Sequence, residues 1–314
     1  MIRFPTRLED CTGGSFRAGA TDLAERRRHG LPAGPLVDLR DVPGLDAVAT
    51  PGDGTLVLGA KLTLQAIADD AAVRGGWMGV ARAAGALATP EIRAVATLGG
   101  SLAQEVRCWY YRHPDFHCLR KGGSECLNRS GDNSFHASTF DLSPCLAVHP
   151  STMACALLTY DAVVETWRPG AGPQLSPLAA LLGDGRSLRT LLLGPGELVT
   201  KLHLPAPAAG EKSAYWRAIS RARAEWPVVE CSVRLGPGGA KVALGGVAPV
   251  PFRVPAVEAA LDAGQSPAQA AARVLEGVSF APGEAPVLPK PLPLTRLAYD
   301  LLVPTIVHTL EMAS

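Results

Sequence analysis

Apolar and polar positions change period several times along this chain, and the changes outline its elements. SFRAGATDLAERRRHG reads as a short strand, a small-residue turn and a helix running from about Thr21 to Gly30. LVDLR (Leu36 to Arg40) and TLVLGA (Thr55 to Ala60) are short β-type runs joined by a Pro/Gly-rich connection. From Leu62 to Ala86 the apolar residues recur at helical spacing, with a break at Gly75 and Gly76, and the period is then lost in ATPEIRAVATLGGSLAQ, which predicts a loop. After Cys145, MACALLTYDA is patterned as a helix, VVETW as a strand, LSPLAALLG as a helix and ELVTKLHLP as a strand. PAPAAGEK (Pro205 to Lys212) has no period and several residues that break regular structure, so it is the expected linker. Three β-like runs follow, SAYWRAIS, PVVECSVRL and AKVALGGVAP, and the turn formers between them, notably GPGG at 236–239, suit an antiparallel meander. The chain closes with helical patterns in VPAVEAALDAG, SPAQAAARVLEGV and LTRLAYDLLVPTIVHTLEMA, the last bent at Pro304. The pattern predicts an α+β protein: residues 1–204 in two units, about 1–55 and 56–204, then a sheet-plus-helices unit at 213–314.

Composition narrows the partners. A chain of 314 residues, 47% of them hydrophobic, can bury two or three cores. Its 30 Lys and Arg nearly balance its 29 Asp and Glu, so no global field recommends nucleic acid or anionic lipid, and Arg26, Arg27 and Arg28 read as a solvated helix face. MIRFPTRLEDC lacks the apolar run of a secretory signal, and no stretch approaches the ~20 apolar residues of a membrane span, so a soluble protein made in the cytoplasm is expected.

Two segments have the composition of anion-cradling turns: AGATD (Ala18 to Asp22) and TLGGSLA (Thr97 to Ala103). Phosphates are held by converging backbone N–H groups, and small residues let the main chain approach. Thr21, Thr97 and Ser101 add hydroxyls, and Thr21 stands at a helix start whose dipole favours negative charge. Two such loops would suit one pyrophosphate. Taken singly, each loop reads more readily as an ordinary turn, and neither fits GxGxxG or GxxxxGK[ST].

Cysteine usage is the sharper signal. Four of seven cysteines, Cys108, Cys118, Cys126 and Cys145, fall within 38 residues with the spacing C-x9-C-x7-C-x18-C. In a reducing compartment this suits metal ligation better than disulfides. A tetrahedral zinc site, with or without His117 or His136, and a [4Fe-4S] cluster are equally open from spacing, and plain buried thiols remain a third reading. Gly122, Gly123 and Gly131 would let the chain fold round a cluster. Cys155 and Cys231 lie in apolar runs and read as core, Cys11 lies in a loop, and His136 and His149 read as hydrogen-bonded structural residues. Trp109, Tyr110 and Tyr111 are expected to shield the cysteine site.

AGATDL, PEIRAVATLGGSLA and LGGVAPVPFR, in that order and with Arg217 and Arg221 upstream of the third, resemble the FAD-binding medium subunit of the molybdenum hydroxylases, the family of xanthine dehydrogenase and carbon monoxide dehydrogenase. The resemblance implies a two-part FAD-binding domain of the PCMH type and a C-terminal domain like that of the carbon monoxide dehydrogenase flavoprotein. It implies FAD contacts at Ala18, Gly19, Ala20, Thr21, Asp22, Leu23, Thr97, Gly99, Gly100, Ser101 and Gln104, with Arg217 as the basic residue near the flavin and Glu225-Trp226-Pro227 either beside the ring or an ordinary turn. The family patterns are AGGTDL and TIGGNLA, so Ala20 replaces a Gly and Ser101 an Asn; Arg217 stands for a usual Lys and Thr152 for an Asp. The segment 105–148 lies where a subset of the family, similar to the periplasmic aldehyde oxidoreductase and 4-hydroxybenzoyl-CoA reductase, carries a [4Fe-4S] insertion, and its RCWYYR start and GDN-x-x-HA middle are similar to the aldehyde oxidoreductase version. The resemblance then implies Cys108, Cys118, Cys126 and Cys145 as cluster ligands. It further implies a heterotrimer, with a molybdopterin large subunit, a [2Fe-2S] small subunit and an external acceptor that is ferredoxin-like, a quinone, oxygen or NAD. The expected compartment is cytoplasmic, or periplasmic if the complex is exported on a partner's signal. Two other functions stay open: a self-contained flavin oxidase, for which no acid/base constellation stands out, and a zinc-stabilised binding module without redox chemistry.

Overall fold

The computed structural model describes residues 1–31, 34–133, 137–141, 143–276 and 293–314, and His136 lies outside them. Three sheets organise the described chain. The first contains β1 (Ile2–Arg3), β2 (Ser15–Arg17) and β3 (Leu36–Asp38), with both outer strands parallel to the central β3. Parallel neighbours need a crossover, and helix Thr21–Arg28 supplies it between β2 and β3. This helix buries none of its residues fully, as its Arg26–Arg28 face suggests.

The second sheet runs β4 (Val48–Ala49), β5 (Leu56–Gly59), β8 (Leu198–Leu204), β6 (Val163–Arg168) and β7 (Gly172–Pro177) in spatial order, antiparallel throughout. Its core is closed by the helices Leu64–Asp69, Ala71–Gly76, Met78–Ala86 and Thr152–Leu158. The third is the expected meander: β9 (Lys212–Ala218), β10 (Val229–Leu235) and β11 (Lys241–Gly245), extended by β12 (Phe252–Arg253), in the order β12-β11-β10-β9. Helices Pro255–Asp262, Pro267–Ala271 and Pro293–Ala313 cover it, the last continuing through Pro304.

Several elements differ from their sequence pattern for local reasons. The helical run 62–86 breaks at Asp70, whose carboxylate caps the next helix by accepting from Ala72 N and Val73 N, and again at Trp77; Gly75 and Gly76 stay inside a helix. The expected loop at 88–104 contains two short helices, Pro90–Arg93 and Leu98–Leu102, capped by Thr89 and Thr97. β7 was hidden by its Gly and Pro residues, which an edge strand tolerates. β4 pairs with β5, so it belongs with the second sheet although it precedes residue 55. The stretch after β8 joins two packed bodies: Trp77 Nε1 donates to Pro205 O at 3.0 Å, Gly79 N donates to Ser213 Oγ at 3.0 Å, and Tyr215 of β9 joins the core of the second sheet.

Candidate functional site: two cavities and a four-thiol recess

The stretch 96–99, which enters helix Leu98–Leu102, is tied to residues 60–64 by main-chain hydrogen bonds. Leu64 N donates to Ala96 O, Leu98 N to Leu62 O and Gly99 N to Ala60 O, all within 2.8–2.9 Å, and Thr63 bridges Thr97. Gly100 N is taken by Thr97 Oγ1 and Ser101 N by Thr97 O. The amides that the composition offered to a phosphate are therefore spent inside the protein. The glycines serve packing instead: a Cβ on Gly99 would meet Ala60 at 2.9 Å, and one on Gly19 would strike the Val95 carbonyl. Gly19 is needed where its loop meets residues 95–96, and Gly99 where the chain packs on Ala60.

AGATD differs. The first helical bond is Ala24 N to Ala20 O at 2.8 Å, so the amides of Thr21, Asp22 and Leu23 precede any helical acceptor and lie at the positive end of the helix. Ala20 is left-handed with φ of 58°, a conformation that an L-residue adopts at a cost of roughly 1–2 kcal/mol. Ala20→Gly removes that cost and adds freedom to the unfolded chain, for a net gain of about 0.5–1 kcal/mol. A urea midpoint moving upward with unchanged cooperativity checks this.

The two loops separate two cavities that share Gly100. The first spans about 530 Å³, part of it open to solvent, and is lined by Ala18, Thr97, Gly99 and Gly100 together with Phe16, Leu39, Leu45, Lys61 and Glu197. The second, about 790 Å³, is lined by Thr21, Asp22, Gly100, Ser101, Gln104 and Arg217, with Arg107, Glu225 and Trp226. Of the expected contact residues, Gly19 and Ala20 shape the loop without lining either cavity, and Leu23 is half-buried and lines neither. Arg217 is buried, with its guanidinium donating to Arg223 O. Arg107 stacks on Trp226, 5.1 Å from the ring centre, so Glu225 and Trp226 form part of the wall.

Asp22 turns its carboxylate away from solvent. Oδ1 accepts from Arg112 at 2.5 Å and Arg107 at 3.2 Å, and Oδ2 accepts from Glu105 N at 3.2 Å, while Arg107 also pairs with Glu25 at 2.6 Å. The loop that starts the helix is thereby tied to the start of the cysteine segment.

Cys108, Cys118, Cys126 and Cys145 are all buried and free, and together they line one narrow recess. Tyr110, Tyr111, Leu119, Arg120, Leu127 and Asn128 complete its wall, whereas Trp109 is 59% exposed and does not shield it. Main-chain N–H groups face the sulfurs: those of Tyr110 and Tyr111 face Cys108, those of Asn128 and Leu146 face Cys126, and that of Ala147 faces Cys145. The Cys126 thiol shares a hydrogen bond with Cys145. That bond, followed by the charge of Arg120, holds Cys145 well below the usual thiol range, while the same bond and burial push Cys126 up. Among the described residues no group of three or more His, Cys, Asp and Glu side chains is gathered as a metal-ion site, and His113 and His117 are exposed. The thiols are instead spread around the recess wall.

His149 anchors the next turn. Its Nε2 donates to Thr190 O at 3.0 Å and its Nδ1 accepts from Ser151 N at 3.2 Å, the arrangement of a neutral ring. Burial, opposed by the Thr190 bond, lowers its pKa from 6.5 to about 4. The unfolded chain therefore binds a proton that the folded one refuses as pH falls from 6.5 toward 4, and stability drops across that window by up to about 3 kcal/mol. His149→Asn is expected to flatten this part of the urea-midpoint profile against pH.

Sequence reasoning missed Glu230. It lies on β10 directly opposite Arg217, fully buried, with its carboxylate accepting from Thr152 Oγ1 and Tyr215 OH at 2.6 Å each. Burial raises its pKa against the opposing effect of those two bonds and Arg217. A lone acid in the apolar run PVVECSVRL was the available signal.

Comparison with known proteins decides the family. Residues 9–207 match the model of the FAD binding domain in molybdopterin dehydrogenase. The chain belongs to this family. This FAD-binding family member is 34% identical over 258 residues, 80% of each chain, to the aldehyde oxidoreductase FAD-binding subunit PaoB of Escherichia coli (strain K12). Its fold matches a chain of the carbon monoxide dehydrogenase from Hydrogenophaga pseudoflava at a TM-score of 0.70 with 19% identity, covering 99% of this chain and 96% of that one. A chain of quinoline 2-oxidoreductase from Pseudomonas putida 86 matches at 0.70 with 18% identity, over 99% and 95% respectively. The expected FAD-binding, α+β oxidoreductase component of the molybdenum hydroxylase type is what these matches support.

Proposed function

We propose that this chain is the FAD and [4Fe-4S] electron-transfer subunit of a heterotrimeric molybdenum hydroxylase. The observation that carries the reading is a recess lined by four cysteines in the segment that Asp22, in the wall of the second of two cavities meeting at Gly100, holds through Glu105 N and Arg112. The cleft has the right form for a dinucleotide, whose two aromatic ends need separate chambers on either side of a diphosphate. Loop 18–23 presents the unspent amides for that diphosphate, Thr97 and Ser101 border it, and Arg217 sets a fixed positive charge in the second chamber. Bound FAD would take and release electrons singly or in pairs.

The recess fits a cluster by its donor chemistry. Four thiols surround one small volume, main-chain N–H groups point at three of them, and apolar walls keep water away. Cys108, Cys118, Cys126 and Cys145 would hold the irons, and a one-electron centre would be added to the flavin scaffold. The partners proposed are a molybdopterin large subunit and a [2Fe-2S] small subunit, by kinship with a relative whose name makes it the FAD-binding subunit of an aldehyde oxidoreductase. The acceptor proposed is an external one-electron carrier. The division into 1–204, carrying the insertion 105–148, and 213–314 is the domain organisation we propose with it. Among the described residues no helix is long and apolar enough to cross a membrane.

A visible spectrum with iron, sulfide, zinc and flavin analysis of the purified chain tests the reading. Flavin bands on a broad iron–sulfur shoulder, with about four irons and one FAD per chain, are expected. A colourless protein containing zinc and no iron would overturn it.

A further inference from the structure

Arg120 occupies an unusual place in the recess. Its side chain is only 5% exposed, its Nε donates to Cys145 Sγ at 3.3 Å, and its Nη1 donates to Glu105 Oε2 at 3.4 Å. Glu105 is 27% exposed and its main-chain N–H is tied to Asp22. The other cation acting on these sulfurs, Arg129, is already matched by Asp141 through two bonds of 2.7 and 2.5 Å. Arg120 is thus a buried charge, held by a partly solvated carboxylate on one side and directed at a cysteine sulfur on the other.

We propose that Arg120 and Glu105 act as an opposed pair of positioning charges that sets the reduction potential of the iron–sulfur group held by Cys108, Cys118, Cys126 and Cys145. This rests on the reading of the recess as a [4Fe-4S] site. The step concerned is a one-electron reduction, with the electron supplied by reduced flavin in the protein or by dithionite in a titration, and no bond is made or broken. One added electron makes the cysteinate-bound group one unit more negative in surroundings that solvate charge poorly. Arg120 favours that form through its fixed charge and its N–H to sulfur, since hydrogen bonds to the sulfurs and nearby charge are the protein's means of moving such potentials. Glu105 opposes it by offsetting part of the Arg120 charge. Because Glu105 is partly solvated, its removal leaves Arg120 in place with its bond to Cys145.

Potentiometric titration of the full-length chain in its complex, followed by the paramagnetic signal of the reduced cluster, separates the two charges. Arg120→Gln should lower the cluster potential and Glu105→Gln should raise it. Each should change the reduced-to-oxidised ratio at fixed potential by about tenfold, which is about 59 mV for a one-electron couple. Iron content and flavin potential should stay at their unmutated values in both. Should Arg120→Gln fail to assemble a cluster, the upward shift in Glu105→Gln still carries the proposal. An unmoved potential in Glu105→Gln with four irons retained, or shifts of the same sign in both variants, would overturn it while leaving the cofactor assignment intact. Unmutated protein without a four-iron cluster would overturn the cofactor assignment itself, and the proposal with it.

Discussion

A chain carrying Cys126→Ser is expected to lose its iron and keep its flavin. Serine is close to cysteine in size, so the recess should close around it with little strain, but a hydroxyl is a far poorer ligand for iron than a thiolate. Iron should fall from about four to below about one per chain, because a cube held at three corners is exposed to solvent and oxidation at the fourth. FAD should remain near one per chain, since none of the residues lining the recess lines either lobe of the cleft. Cys155→Ala provides the contrast: this cysteine is buried in helix Thr152–Leu158, away from the recess, and its loss should cost stability without touching the iron. Iron and flavin analysis of both variants checks the expectation. Iron unchanged in Cys126→Ser, or flavin lost in step with iron, would count against a cluster at these four thiols.

Much of the fold was legible because the signals were long. The meander of β9, β10 and β11 follows alternating runs punctuated by GPGG, and helix Thr21–Arg28 follows a small-residue turn with a basic face. The failures were short or borrowed from elsewhere. A helix of five residues such as Leu98–Leu102 is too brief to show a period, and its cap, Thr97, had been read as part of a turn. β7 owes its place to pairing with β6, which local composition does not encode.

The same division holds for the site. The four cysteines were legible as a group because they are close in sequence, and the structure places them around one recess. The glycines of TLGG stood out by composition, but the anion reading assumed free amides, whereas Gly99 N donates to Ala60 O and Gly100 N to Thr97 Oγ1. The charges that join cleft to recess were beyond reach, since Asp22 and Arg112 are 90 positions apart and only tertiary structure brings them together. Glu230 was silent for a related reason, its partners Thr152 and Tyr215 coming from a distant helix and a neighbouring strand.

Asp22 carries the largest expected loss of stability. By composition it belongs to an anion-binding loop, yet a carboxylate beside a diphosphate would repel it, and the structure gives the group other work. Asp22 satisfies buried Arg112, whose Nε and Nη2 also donate to Val106 O and Glu105 O at 2.8 and 2.7 Å. Removing one partner of a buried ion pair leaves the other charge desolvated, at a cost of about 3–5 kcal/mol. The surviving carbonyl bonds should moderate this to about 2–4 kcal/mol, still a large part of the 5–15 kcal/mol that ordinary folds possess. The damage should also spread in a specific direction. Asp22→Ala frees the amide of Glu105 and loosens the start of the cysteine segment, so FAD and iron should both be under-occupied, in contrast to Cys126→Ser. Asp22→Asn keeps an acceptor for Arg112 and Glu105 N and should retain more of each cofactor. Urea midpoints together with flavin and iron contents decide the matter: if Asp22→Ala lost flavin alone, with stability and iron unchanged, Asp22 would be a direct flavin contact and not the tie between the two sites.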